Sequence, residues 1–256
     1  MFLMGIDCAT KANKTGLAFG RLDGGKFAVC SAKRGKGGKW EKGIDPLVNK
    51  WIERGKMEHR KVLLALDAPL GWPQPLGDAL VSHEAGEALS KLADQLFMRE
   101  TDRRIHGNTG KKPFSVGADK IARTAHAALS FLERLRIPLA WGPANLAPVS
   151  AIEVYPTVTL SEHGFLPDTT YKNAEGRKNR ENIIGDLKTK MKLCGDTEKQ
   201  MLNSDDVLDA VVCVLAAADF VKSEAASPEN MKLAKREGWI WVRSHRRPMR
   251  RFLARG

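Results

Sequence analysis

Residues 204–221 read SDDVLDAVVCVLAAADFV, from Ser204 to Val221. From Val207 onward nearly every position is Val, Leu, Ala, Cys or Phe. This pattern predicts a helix that is apolar on all sides and therefore buried. Three carboxylates, Asp205, Asp206 and Asp209, stand at its mouth. Ser204 or Asp205 suits the N-cap, and acidic residues in a first turn are favoured by the helix dipole by about 0.3–1 kcal/mol each. Capping accounts for Asp205 more readily than for its neighbour, and less well for Asp209, which lies past the free amides of the first turn. Asp206 and Asp209 are three apart and share a face, where like charges repel. They are candidate parts of a site.

Outward from this helix, two other apolar runs also end on aspartate, MFLMGID (1–7) and KVLLALD (61–67). Both are continuous rather than alternating, as strands covered on both faces are. Gly16–Leu22 and Lys26–Arg34 follow the first run, with Asp23-Gly24-Gly25 as turn chemistry between them. Together these segments predict an antiparallel three-stranded meander. Asp45-Pro46 starts a helix, with Pro suited to the first turn. APLGWPQPLG (68–77) reads as loop, 82–99 as helix, 107–115 as polar loop, and about 117–136 as helix. SAIEVYPTVTL (150–160) reads as a strand interrupted at Pro156, 172–197 as charged and partly helical, and GWIWV (238–242) as a short terminal strand. The order predicts an α/β layer architecture. A mixed central sheet, antiparallel meander then parallel strands, is flanked by helices. One domain is expected over 1–242, with a helical insertion at about 75–149 and a basic tail at 243–256.

The chain has 256 residues and a net charge of +12. That excess predicts attraction to polyanions, nucleic acid foremost, with plain solubility as the alternative. Cys8, Cys30, Cys194 and Cys213 show no C-x-x-C spacing, so the sequence displays neither a zinc knuckle nor a redox pair. The six histidines form no cluster in sequence. No apolar run approaches the roughly 18 residues of a membrane span, and the N-terminus does not read as a signal peptide. A cytoplasmic protein with no membrane contact is expected.

In open α/β sheets, ligands bind beyond the carboxyl ends of the strands, where Asp7 and Asp67 fall. Strand-end aspartates before turns are also common for structural reasons. Four carboxylates converging on one edge would repel strongly unless a cation neutralised them. Mg²⁺ or Mn²⁺ suits oxygen ligands, and two such ions can activate water and stabilise the leaving oxygen of a phosphodiester.

GIDCA (5–9), ALDAPLGWP (65–73), RETDRRI (99–105), EVYPTV (153–158), DDVLDAV (205–211) and EGWIWV (237–242) carry a resemblance in their joint order. The chain resembles the RNase H-like nuclease superfamily. More narrowly, it resembles a family of predicted RNase H-like nucleases catalogued as a domain of unknown function, over about residues 3–242. The resemblance implies the RNase H-like fold, with Asp7, Asp67, Asp206 and Asp209 as metal ligands. It also implies a metal-dependent nuclease acting on DNA or RNA. The late DVLDA helix is similar to that of Holliday-junction resolvases, where the second acidic position is usually Glu; here it is Asp67, with a shorter reach.

Glu153 is a further candidate, as an extra ligand or proton shuttle, or else as a strand-end acid paired with Lys or Arg. Arg99, Arg103 and Arg104 offer bidentate grips for phosphate, or else form a charged, solvated helix end. Lys36 and Lys39 lie in a basic, Gly-rich loop, and Arg246, Arg247, Arg250 and Arg251 in a tail with Phe252 nearby. Both clusters suit nucleic-acid contact without sequence readout. Two other classes remain open. One is a non-catalytic nucleic-acid-binding module. The other is an actin-like ATP-dependent phosphotransferase, for which DCATKANKTG (7–16) would be the phosphate loop.

Overall fold

The computed structural model describes residues 1–117, 119–167 and 169–244. Its strands are β1 (Phe2–Asp7), β2 (Gly16–Asp23), β3 (Lys26–Arg34), β4 (Val62–Asp67), β5 (Val149–Glu153) and β6 (Lys192–Leu193). They form one six-stranded sheet in the order β5, β4, β1, β2, β3, β6. β1, β2 and β3 pair antiparallel, while β4 runs parallel to β1 and β5 parallel to β4. Gly24 and Gly25 close the β2–β3 hairpin with φ of 49° and 82°, the positive pair that a type I′ turn requires. The short β6, parallel to β3, has no clear signature in the sequence.

The helices are α1 (Trp40–Gly43), α2 (Asp45–Met57), α3 (Gln74–Leu80), α4 (Ala93–Phe97), α5 (Glu100–Thr109) and α6 (Asp119–Arg134). They continue with α7 (Pro156–Glu162), α8 (Arg177–Lys188), α9 (Thr197–Asn203), α10 (Asp205–Val221) and α11 (Met231–Glu237). Strand alternation sorts the two cores. Phe2, Met4 and Ile6 of β1 pack with Val62, Leu64 and Leu66 of β4 against Val48 and Ile52 of α2 and Phe131 of α6. Leu3, Leu63 and Ala65 face the other way, onto α10. The sheet thus lies between helical layers, a mixed α/β architecture. Among the described residues no helix is long and apolar enough to cross a membrane.

Glycines let α10 sit unusually close to the sheet. A Cβ on Gly5 would stand 1.8 Å from the carbonyl oxygen of Ala210, and one on Gly16 1.9 Å from that of Asp206. Backbone cannot yield cheaply there. Gly5→Ala is expected to cost at least about 3 kcal/mol in urea denaturation, the upper range for overpacking. Gly77→Ala, within α3 and facing open space, is the matched control. It should stabilise by up to about 1 kcal/mol. Equal effects at both positions would contradict the close approach.

Several segments differ from the sequence expectation. Residues 74–77, read as loop, begin α3, with Pro75 in its first turn where no amide partner is needed. The helix expected over 82–99 reduces to α4, because residues 82–92 are exposed almost throughout, Leu92 at 74%. With no face buried, little stabilises a helix there. α5 instead begins at Glu100, where Asp102 accepts the Arg99 amide at 3.0 Å. Pro156 starts α7 rather than interrupting a strand. Residues 238–242 form no strand; Ile240 makes an isolated bridge to Glu153.

Candidate functional site

Asp7 and Asp67 are register partners at the ends of parallel β1 and β4. Neighbouring strands lie about 4.8 Å apart, and register partners point to one face. Asp7 continues the row of Leu3 and Gly5, and Asp67 that of Leu63 and Ala65, so both point toward α10. The close seating of α10 delivers Asp209, 1% exposed, to the same place. The structure therefore brings Asp7, Asp67 and Asp209 together.

Their electrostatics record the convergence. Burial, then the charges of Asp209 and Asp67, push the Asp7 carboxyl well above the usual carboxylate range. Burial and Asp209 raise Asp67 to about 8. Burial also raises Asp209, against the opposing pull of Lys172 and Tyr171. Tyr171 donates its hydroxyl to Asp209 Oδ1 at 2.9 Å, and the Lys172 ammonium pairs with Oδ2. Neither residue was apparent from sequence, because both lie in a polar connection whose path onto α10 leaves no periodic mark.

Asp206 stands slightly apart. Arg34 approaches its Oδ2 at 2.7 Å, yet that buried atom has no aligned hydrogen bond. Asp205 is not the cap: Ser204 Oγ accepts the Val207 amide at 3.2 Å, while Asp205 accepts the Asn173 amide at 3.1 Å. Among the described residues, no hydrogen bond or ion pair holds the carboxylates of Asp7 or Asp67.

Glu153 is the register partner of Leu66, one residue out of step with Asp67, yet it borders the same cavity as Asp67 and Asp209, and its charge adds to those that raise Asp67. There it meets Arg99, which is 1% exposed. The guanidinium donates to Glu153 at 2.7 and 2.9 Å, to Asp102 at 2.8 and 3.0 Å, and to the Glu237 carbonyl at 3.2 Å. Leu70 N–H donates to Glu153 as well, at 2.9 Å. Glu153 is thus the paired strand-end acid, and Arg99 is a buried structural cation with no donor left for phosphate. Arg103 donates to the Met98 carbonyl and Glu100, and Arg104 pairs with Glu229 over the Trp239 ring. Both serve local contacts.

Lys36 and Lys39 are exposed. Their loop is tied to the segment after Asp7, since Ala12 and Asn13 donate to the carbonyls of Gly38 and Gly37. The basic loop therefore lies near the carboxylate edge. Arg246, Arg247, Arg250 and Arg251 lie outside the described residues.

A cavity of about 290 Å³ opens onto the carboxylates, walled by Asp67, Asp209, Lys172, Tyr155 and Phe114 among others. A larger one, about 430 Å³, lies beside Arg104 and Trp239, where the acid Glu229 is already paired. The smaller cavity is the one beside the chemistry. Among the described residues no three His, Cys, Asp or Glu side chains are gathered as a ready metal site. The donor set at Asp7 and Asp67 nevertheless fits a hard divalent cation: only oxygens, without protein partners, under mutual repulsion.

No curated protein matches the chain. A family model matches residues 5–232, most of the chain. On that match, the chain belongs to the family described as Protein of unknown function (DUF429).

Proposed function

We propose that this protein is a divalent-metal-dependent phosphodiesterase of RNase H-like fold, acting on DNA or RNA. The observation that carries the reading is the meeting of Asp7, Asp67 and Asp209 at the carboxyl ends of β1 and β4. The antiparallel meander continued by parallel strands, with a late helix laid on the sheet, supports the fold assignment. Asp7 and Asp67 would hold Mg²⁺ or Mn²⁺. The bound cation would polarise a phosphate oxygen and lower the pKa of attacking water. Tyr171 and Lys172 orient Asp209 by holding both of its oxygens. The cavity of about 290 Å³ leaves room for a backbone phosphate beside these groups, and Lys36 and Lys39 would draw the polyanion toward the edge.

Asp7→Asn should keep the fold and lower Mn²⁺-supported cleavage of an oligonucleotide about a thousandfold, or about 4 kcal/mol of barrier. Full activity in that variant would overturn the assignment. Salt-dependent oligonucleotide binding, indifferent to metal and to Asp7→Asn and without cleavage, would establish a binding module instead.

A further inference from the structure

We propose that the substrate is single-stranded, with the base beside the cleaved phosphate stacked on Phe114 at the rim of the carboxylate cavity. The proposal deepens the phosphodiesterase reading and rests on it. The cavity is bordered by two kinds of surface. Asp67, Asp209 and Lys172 supply a charged one, while Pro69, Phe114 and Ile121 of α6 supply an apolar one. A phosphate engages only the charged surface. The apolar surface suits the flat, weakly hydrated face of a nucleobase.

Phe114 is 75% exposed, whereas phenylalanine is among the residues most often buried. Its exposure is not that of a frayed loop. Pro113 and Val116, on either side of it, are buried, and Ser115 donates its hydroxyl to the Phe97 carbonyl at 2.9 Å. The segment is pinned, so the ring is held outward at the cavity that Asp67 and Asp209 also border. Lys111, exposed on the same loop, offers a charge to a flanking phosphate.

Stacking decides the strand state. Inside a duplex both faces of a base are covered by its neighbours, and reaching Phe114 would require the base to be unpaired and turned out. An unpaired strand offers its bases to an aromatic ring without that cost, and without regard to sequence.

The test measures kcat/KM for Mn²⁺-supported cleavage of labelled oligothymidylate and oligouridylate, alone and annealed to their complements. Wild type should cleave the single strands at least about tenfold better than the duplexes, the effect of one base–aromatic stack. Phe114→Ala should lose about tenfold on single strands and little on duplexes, while Phe114→Trp keeps the preference. The melting temperature of Phe114→Ala should not move, because the ring is exposed. A single strand abasic at the cleaved position should lose the same factor in wild type, with no further loss in Phe114→Ala. Equal cleavage of single strand and duplex, or unchanged cleavage by Phe114→Ala, overturns the proposal and leaves the phosphodiesterase reading standing. So does an abasic loss that adds to the loss in the variant. Absence of cleavage on every strand removes that reading and this proposal with it.

Discussion

Asp67→Asn should raise the melting temperature of the metal-free protein near pH 8 and leave it almost unchanged near pH 4. The Asp67 carboxyl has a folded value of about 8 against an ordinary 3.8. A raised carboxyl binds its proton more tightly in the folded state than in the unfolded chain. Below about pH 4 both states are protonated and the group is neutral to stability. As pH rises toward 8 the unfolded chain ionises first, so folding requires proton uptake and stability falls, by up to about 1.4 kcal/mol per pH unit. Above about 8 the full penalty, a few kcal/mol, is in place. Asparagine cannot ionise and also removes one of the charges that raises Asp7. The melting temperature of the variant should therefore fall less steeply with pH. Saturating Mn²⁺ should narrow the gap at pH 8, stabilising wild type by about 2.7 kcal/mol at a hundredfold excess over Kd, and the variant little. Identical pH slopes in scanning calorimetry would mean that Asp67 is not held among like charges.

Much of this arrangement is legible in the sequence, for reasons that differ by residue. Asp7 and Asp67 end runs that are apolar throughout, and such runs become interior strands of a layered sheet. Asp209 is marked by its distance from the helix start, which capping explains less well than it does Asp205. Glu153 has the same strand-end appearance, yet its role depends on register: a shift of one residue relative to β4 sends it to Arg99. Register between distant strands is not written in either segment alone. Tyr171 and Lys172 are invisible for a related reason. Their placement depends on Arg180 capturing the carbonyls around them, a contact between a helix and an irregular connection. The expected helix at 82–99 failed because composition favoured it while no surface was available to bury it.

Arg99→Met should destabilise the protein by about 3–5 kcal/mol, because it leaves Asp102 and Glu153 buried without their cation. For a domain of this size, that corresponds to a fall of roughly 10 °C in melting temperature. The loss would spread beyond one ion pair. Arg99 joins the start of α5 to the end of β5 and to the carbonyl of Glu237. Glu237 in turn accepts the amides of Gln74 and Glu100, each at 2.7 Å. Gly238 is part of the same junction: at φ 85°, a Cβ there would lie 2.8 Å from Glu153 Oε2. This network fixes the loop that follows Asp67, and so the wall of the cavity. Adding Glu153→Gln to Arg99→Met should recover part of the loss, since an amide costs less to bury unpaired than a carboxylate. A solvated phosphate clamp predicts the opposite pattern. Arg99→Met would then leave urea denaturation unchanged and weaken only oligonucleotide binding, with a shallower salt dependence. The two roles separate in one denaturation series, because an arginine enclosed by two carboxylates stabilises the fold before any substrate arrives.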